Sequence, residues 1–463
     1  MIVTAVACAD ITPEESVPLM GYGDRTHPSE GVHDPLFAYA WWLEQPGKDP
    51  IVWIVLDLCL LSVISMRELA ASISGKTGIS AQRIHISATH THSGPDVRFV
   101  SKDSEPWARR YYDKLIAGCV QATRAARSQA VPCRIEVRTS ESDLGINRRN
   151  AQAQIDPRVV LFSLKDESGE ERALLFHYSC HLTALGVDNY LISADWIGPV
   201  RNDLEKELGV PVMFLQGAEG NVDPVCRGAL DMADPDQAVG SSFAVMEQTA
   251  ERLTRSIRSG REARPLTILD KVELKSAAFS LPLRFGGLNT AHIQEKIDTW
   301  KKGFSAFLGI PWEQIPESSI INAMIKEHSR EKGLEADEIR RWVAEQFTYV
   351  SFLNIYKIGG EMIDAGKGEV TCPIQLIDFG SVKVLGIPME VLLDVAFDWQ
   401  RRFPDDIALI AGLFDGWIGY LPHRNNFDEP LAEQLYETVC SMFSPEASIL
   451  LLDGAAHLMR QHR

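Results

Sequence analysis

Three times along this chain an apolar, β-rich run, an amphipathic stretch and a strand-like run or polar loop follow one another, and that alternation limits the fold more than any other feature. IVWIVLDL (51–58) leads through ISMRELAASISGKTG to RIHISA; IGPVRNDLEKELG, helical in its spacing, leads to VPVMFLQ; SVKVLGIP leads through MEVLLDVAFDWQRRF to DIALIAGL. This order predicts an α/β fold with mixed, largely parallel sheets and flanking helices. In such sheets ligands gather where loops leave the carboxyl ends of strands. The polar stretches SATHTHSGPD, GAEGNVDPV and FDGWIGYLPH all follow predicted strands, so one composite site is expected there.

Residues 104–127 read as a long amphipathic helix, whereas between 288 and 350 the alternation stops. Ile293, Ile297, Trp300 and Phe304 recur there at helical spacing, as do Ile339, Val343, Phe347 and Val350, which predicts a helical insertion inside a single domain covering 1–463. Such an insertion either decorates the core or covers a substrate site.

Composition narrows the partners. A formal charge of −17, from 46 basic and 63 acidic residues, repels polyphosphates and anionic membrane surfaces. A small-molecule substrate is therefore expected, with no nucleic acid and no stable membrane insertion. No apolar run is long enough to span a bilayer. The opening MIVTAVACADITPEE lacks the charged-then-apolar order of a signal peptide, and the 8 cysteines are scattered without a CxxC pair. Reduced thiols and a cytoplasmic location are the expectation.

Only 12 of the 463 residues are histidine, yet His90 and His92 stand two apart where a strand runs out. Neutral imidazole is the commonest transition-metal ligand, but HxH spacing alone fits a polar loop with satisfied histidines at least as well. His177 and His181, in FHYSCHLTALG, form a second candidate pair with Asp195 close by. A catalytic zinc needs about three protein ligands and an open position, so a carboxylate must join the histidines. Glu390, Glu219 and Asp223 are the loop acids available, and spacing does not choose among them. Asp57, Asp195, His33, Cys180 and Cys226 read as structural.

Taken together, the motifs resemble the neutral (alkaline, non-lysosomal) ceramidases, zinc amidases. ATHTHSGP is similar to that family's histidine loop. ADITPEESVPLMGYGDRTHPSEGVHDPLFAYAWWLE is similar to its opening, LGINRRN to its INR segment, SCHLTALG with LISADWIG to its second histidine segment. VLGIPMEV resembles the stretch carrying a glutamate ligand, and GYLPH with EQLYE the stretches carrying two tyrosines. The order is kept from residue 3 to about 440. The likeness is to a short, ceramidase-like catalytic domain without the family's secretion signal and C-terminal domain. It implies Zn2+ held by His90, His181, Glu390 and Tyr420, with His92, Arg148, Tyr436 and Asp223 on the substrate side. Arg148 is taken rather than Arg149 because it completes INR; one of the pair is expected to turn inward and the other to water. Where the family has a GDVSP-type loop this chain reads Gly220-Asn221-Val222-Asp223-Pro224, so Asp223 stands at the family's serine.

What the resemblance implies is a zinc-dependent hydrolase that cleaves an amide (N-acyl) bond with a metal-activated water. Tyr436 or His92 would donate to the oxyanion or the leaving amine, and Arg148 would anchor an oxygen-rich group. Three alternatives stand beside it: an amidohydrolase barrel, which also begins with HxH on a strand; the same metal site acting on a carbohydrate or other polar substrate by hydrolysis or elimination; and a non-catalytic binding protein.

Overall fold

The computed structural model of the chain describes residues 1–100, 104–233, 239–284, 290–315, 321–358, 362–364 and 367–461. Two sheets lie face to face. In the larger, the strands run in the order Val212–Gln216, Glu171–Tyr178, Arg158–Asp166, Val131–Glu141, Ile2–Asp10, Phe37–Glu44, Ile51–Leu56, Ile84–Ala88, with Thr267–Leu269 also pairing Val131–Glu141. The smaller runs Glu273–Pro282, Glu369–Asp378, Val382–Gly386, Ile407–Ala411, with Ile363–Asp364 added on Glu369–Asp378.

Period-2 alternation divides each strand between two cores. Along Ile51–Leu56, the side chains of Ile51, Trp53 and Val55 join the layer between the sheets, while Val52, Ile54 and Leu56 face helices. Phe37–Glu44 divides in the same way, with Tyr39, Trp41 and Leu43 turned one way and Ala38, Ala40 and Trp42 the other. Helices Val63–Thr77, Pro106–Gln129, Ile197–Leu208 and Phe243–Glu262 cover the outer face of the large sheet, and Leu393–Arg402 with Ala447–Arg460 cover the small one. The first of these helices begins on the side chain of Ser62, which accepts the Ser65 N–H, and stops at Gly78 with φ +75°, the left-handed conformation a glycine adopts at least cost.

The α/β class and the flanking helices agree with the sequence, but "largely parallel" does not: most neighbouring strands are antiparallel. Among the described residues, only three pairs within the two main sheets run parallel, Ile51–Leu56 with Ile84–Ala88, Glu171–Tyr178 with Val212–Gln216, and Val382–Gly386 with Ile407–Ala411. These are the strand–helix–strand units legible in the sequence. The extrapolation failed for a physical reason: helices on one face and a second sheet on the other bury both sides of each strand. Its sequence is then a continuous apolar run, as in a parallel sheet. No closed barrel of eight strand–helix units exists among the described residues, which removes the amidohydrolase-barrel alternative.

A second correction concerns MEVLLDVAF, read as helical from its start. Glu390–Val391 is instead a two-residue strand, and the helix starts at Leu393, whose N–H donates to Asn221 Oδ1 at 2.9 Å. The region after 288 is helical over Thr290–Leu308, Ile321–Lys332 and Ala336–Ile358. Residues 288–289 and 316–320, and the side chain of Ile293, lie outside the described residues. Ile297, Phe304 and Val343 are buried.

Candidate metal centre

Each parallel pair delivers a loop from its carboxyl end to the same place. Beyond Ile84–Ala88 the chain turns at His90, whose φ is +73°; a non-glycine residue is held there only where surrounding bonds compel it. The compulsion is visible: the His90 N–H donates to Leu58 O at 2.9 Å, and Thr91 bridges in parallel to Leu182. That bridge lays the His90 loop beside the His181 loop. The loop after Val212–Gln216 closes over both, with the His181 N–H donating to Val222 O and the Gly220 N–H to Val391 O, each at 2.8 Å. Strand Glu390–Val391 pairs with Tyr420–Leu421 so that Glu390 lies in register with Tyr420.

Of the three loop acids, geometry selects Glu390. Its Oε2 lies 3.2 Å from His90 Nε2 and 3.3 Å from His181 Nε2, and all three side chains are buried. One ligand atom from each lies within 4.8 Å of the others. His90 Nδ1 is 2.9 Å from Cys59 O, and His181 Nδ1 is 2.8 Å from Glu219 O. A carbonyl only accepts, so both Nδ1 atoms carry the proton and both Nε2 atoms present lone pairs. Carbonyl-fixed tautomers of this kind are the usual outer support of metal-binding histidines.

Two lone pairs and a carboxylate oxygen therefore face one another in a buried space, and Glu390 Oε2 accepts no hydrogen bond there. Such a set calls for a cation between its members. A proton is one answer. Burial opposes the charged form of His90, yet Cys59 and Glu390 outweigh it and hold its pKa well above the ordinary imidazole value. Burial likewise opposes ionised Glu390, and His90 with His181 holds it well below the usual carboxylate range. A divalent cation answers the same demand, and two imidazoles, one carboxylate and an adjacent phenol suit zinc. Glu390 Oε1 is fixed by the Trp417 indole N–H at 2.9 Å.

The remaining predicted residues surround this trio. The Tyr420 hydroxyl accepts from Arg148 Nη2 at 3.3 Å; burial and the neighbouring Glu390 raise its pKa well above the ordinary phenol value. His92 stands with Nε2 3.3 Å from His90 Nε2, and its Nδ1 is buried without a hydrogen-bond partner. Burial, then the two other imidazoles, press its pKa well below the ordinary value. The Tyr436 ring meets Tyr420 at 5.5 Å and Phe347 at 4.6 Å, and burial keeps its hydroxyl protonated. Asp223 accepts from Thr183 Oγ1 at 3.1 Å and Arg148 Nη1 at 3.3 Å.

Arg148 is pinned by Glu437 Oε1 at 2.6 Å and by Gly220 O at 2.8 Å. The expectation that Arg149 faces water is not met. Its side chain is 3% exposed and bonded to Glu429 and to the other oxygen of Glu437, so one carboxylate clamps both guanidinium groups and removes any need for solvent. Glu219 contributes its backbone carbonyl to His181; its carboxyl is buried with neither oxygen hydrogen-bonded, and burial pushes its pKa up to about 8. His177 stands apart, with Nε2 donating to Ile410 O at 2.7 Å. Asp57 pairs with Arg201 at 2.7 Å, Asp195 accepts the backbone N–H groups of 184, 185 and 196, and His33 bonds Asp34. Glu437, Trp417 and Cys59 were missed: Trp417 lies within FDGWIGYLPH and Glu437 ends EQLYE, where only the tyrosines were singled out, and Cys59 sits in an apolar run.

A cleft of about 710 Å3 is lined by His90 and Glu390 of the trio and by Tyr420, with His181 fully buried. Thr183, Asp223 and Arg148 line it, as do Val343, Phe347, Val350 and Leu353 of the helix Ala336–Ile358, together with Gln346 and Ser351 of the same helix.

Comparison with known proteins gives a consistent picture. Residues 3–230 match the family model described as neutral/alkaline non-lysosomal ceramidase, N-terminal. The chain is 26% identical over 250 residues to neutral ceramidase B of Dictyostelium discoideum, covering 47% of this chain and 35% of that protein. It is 24% identical over 240 residues to the neutral ceramidase of Pseudomonas aeruginosa, covering 47% and 36%. These matches span about a third of the length of those relatives. The crystal structure of the Pseudomonas aeruginosa neutral ceramidase shares the fold, with a TM-score of 0.68 at 19% identity, over 99% of this chain and 74% of that one.

Proposed function

From the match of residues 3–230 to the neutral/alkaline non-lysosomal ceramidase family model, we propose that this chain belongs to that family and is a zinc-dependent hydrolase cleaving the amide bond of an N-acyl substrate. One observation carries the reading: the Nε2 atoms of His90 and His181 and Oε2 of Glu390 converge on one buried point, with both Nδ1–H groups held by carbonyls, and His90 and Glu390 line a cleft. In the proposal His90, His181, Glu390 and Tyr420 hold the ion. Zinc would supply Lewis-acid polarisation of the scissile carbonyl and a nucleophilic water near neutral pH.

The protein's own groups do the rest. Tyr436, kept protonated by burial, donates to the oxygen on which negative charge develops. His92, kept neutral, takes up a proton and passes it to the departing amine. Arg148, its charge balanced by Glu437 and Asp223, serves less as a free anion anchor than as the brace that fixes the Tyr420 hydroxyl and the carboxylate of Asp223. Asp223 in turn offers an acceptor to a hydroxyl or amine of the leaving group. The apolar wall from Val343 to Leu353 favours an acyl chain over a wholly polar sugar as the other half of the substrate.

The test is a hydrolysis screen of zinc-loaded protein against N-acyl sphingoid lipids, N-acyl amino acids and N-acetyl sugars, following release of the acid. Turnover of a long-chain N-acyl compound, lost in His181→Ala together with the bound zinc, is expected. Turnover that survives in a zinc-free His181→Ala protein contradicts the proposal.

A further inference from the structure

Ile84–Ala88 ends the strand order of the larger sheet, and the loop that leaves Ile407–Ala411 of the smaller sheet packs against its outer side. The Ile86 carbonyl accepts the Asp415 N–H at 2.7 Å, and the Ile86 N–H donates to Asp415 Oδ1 at 3.0 Å. The second carboxylate oxygen, Oδ2, lies 2.8 Å from His85 Nδ1. A carboxylate accepts, so this ring nitrogen carries the proton. The His85 ring is buried and stacks on Phe414 at 5.7 Å, and Ser87 bridges to Phe414. These bonds hold an unusual backbone. Leu413 and Asp415 have φ of +51° and +60°, the left-handed region that a residue with a side chain occupies only under constraint.

What the loop carries gives the constraint its purpose. Just beyond Asp415, Trp417 donates its indole N–H to Glu390 Oε1 at 2.9 Å. The Ile418 N–H donates to Pro388 O at 2.8 Å, the Gly419 carbonyl accepts the Glu390 N–H at 3.1 Å, and Tyr420 follows. The strand that carries His85 itself runs out into the loop of His90. One strand thus delivers His90 directly and, through His85 and Asp415, anchors the loop that orients Glu390 and presents Tyr420. We propose that His85 and Asp415 are positioning residues of the metal centre, their bond setting the ligands from the smaller sheet against those from the larger. Neither residue holds the ion; they act through Trp417 and the backbone around it, as outer partners of metal ligands do. The inference rests on the proposed ligand set and adds to it a pair that no spacing or resemblance singled out.

Two measurements on the full-length protein separate positioning from plain stabilisation. Hydrogen–deuterium exchange of the metal-free protein reports the loop, in peptides covering 412–421, and competition with a chelator reports zinc affinity. His85→Ala and Asp415→Asn are expected to exchange that segment, and to release zinc, about tenfold or more readily than wild type. His85→Asn sets an amide donor where Nδ1 stands and should return both readouts to near the wild-type values. Lys383→Met, which breaks the buried pair with Asp378 near the start of Val382–Gly386, is the control: it should lower the melting temperature and leave both readouts as they are. A thermal melt of each variant shows that it folds, and Asp415→Asn carries the test if His85→Ala does not. Zinc affinity unchanged in folded His85→Ala or Asp415→Asn, absence of rescue in His85→Asn, or an equal loss in Lys383→Met overturns the positioning role alone. Wild-type protein that binds no zinc overturns the metal-centre reading and this inference with it.

Discussion

At the scale of single residues, bonds to the backbone decide what each imidazole does. His90 and His181 present lone pairs because carbonyls hold their other nitrogens. His177, four residues before His181, has its Nε2–H held by Ile410 O and is thereby committed to joining a strand of the large sheet to one of the small sheet. Burial depresses its pKa from 6.5 to about 4, so the folded state keeps it neutral while the unfolded chain takes up a proton. The stability this provides is complete above about pH 6.5 and is lost as pH falls through about 4. Between pH 7 and pH 5 the loss amounts to about 2 kcal/mol. Denaturant titrations at the two pH values should show wild type losing that much more than His177→Gln, which retains a donor for Ile410. Equal losses would mean that the ring is not held neutral in the fold.

At the scale of elements, close approach of backbones sets the site. Gly220 donates to Val391 O, and a Cβ placed on it would lie 2.8 Å from the Val391 carbonyl carbon and oxygen. Gly220→Ala must therefore push the 217–223 loop away from the strand that carries Glu390. The expected result is about a tenfold or greater fall in zinc affinity, measured by competition with a chelator, and a destabilisation of about 1–3 kcal/mol. Unchanged affinity would show that Glu390 is placed by other contacts.

The same elements explain what was legible. The three strand–helix–strand units could be read because helix period, strand composition and punctuation such as Gly78 and Gly209 are local properties. Strand direction elsewhere could not, because a strand buried on both faces carries no polar face to report its neighbours. Nor could the choice of Glu390 among three loop acids, which depends on the register Glu390 opposite Tyr420, a long-range fact. The resemblance of ordered motifs supplied what spacing withheld. It did not supply Glu437, whose bridge to Arg148 and Arg149 corrects the picture of one inward and one outward arginine.

At the scale of the whole molecule, the site is a seam. His90 and His181 come from loops of the large sheet, Glu390 and Tyr420 from loops of the small one. The layer of side chains between the sheets, with Trp41, Trp53 and Phe379 stacked in it, fixes how the two sets of loops meet. The helix Ala336–Ile358 then walls the cleft with apolar side chains. A cation held from both sheets, as proposed, would stabilise the fold as well, since it would bind the native state alone. Anomalous diffraction at the zinc absorption edge, from crystals of protein loaded with one equivalent of zinc, tests this convergence most directly. The account predicts one strong peak within bonding distance of His90 Nε2, His181 Nε2 and Glu390, with the Tyr420 hydroxyl beside it. A zinc peak elsewhere in the molecule, with these side chains bearing no metal, would contradict it.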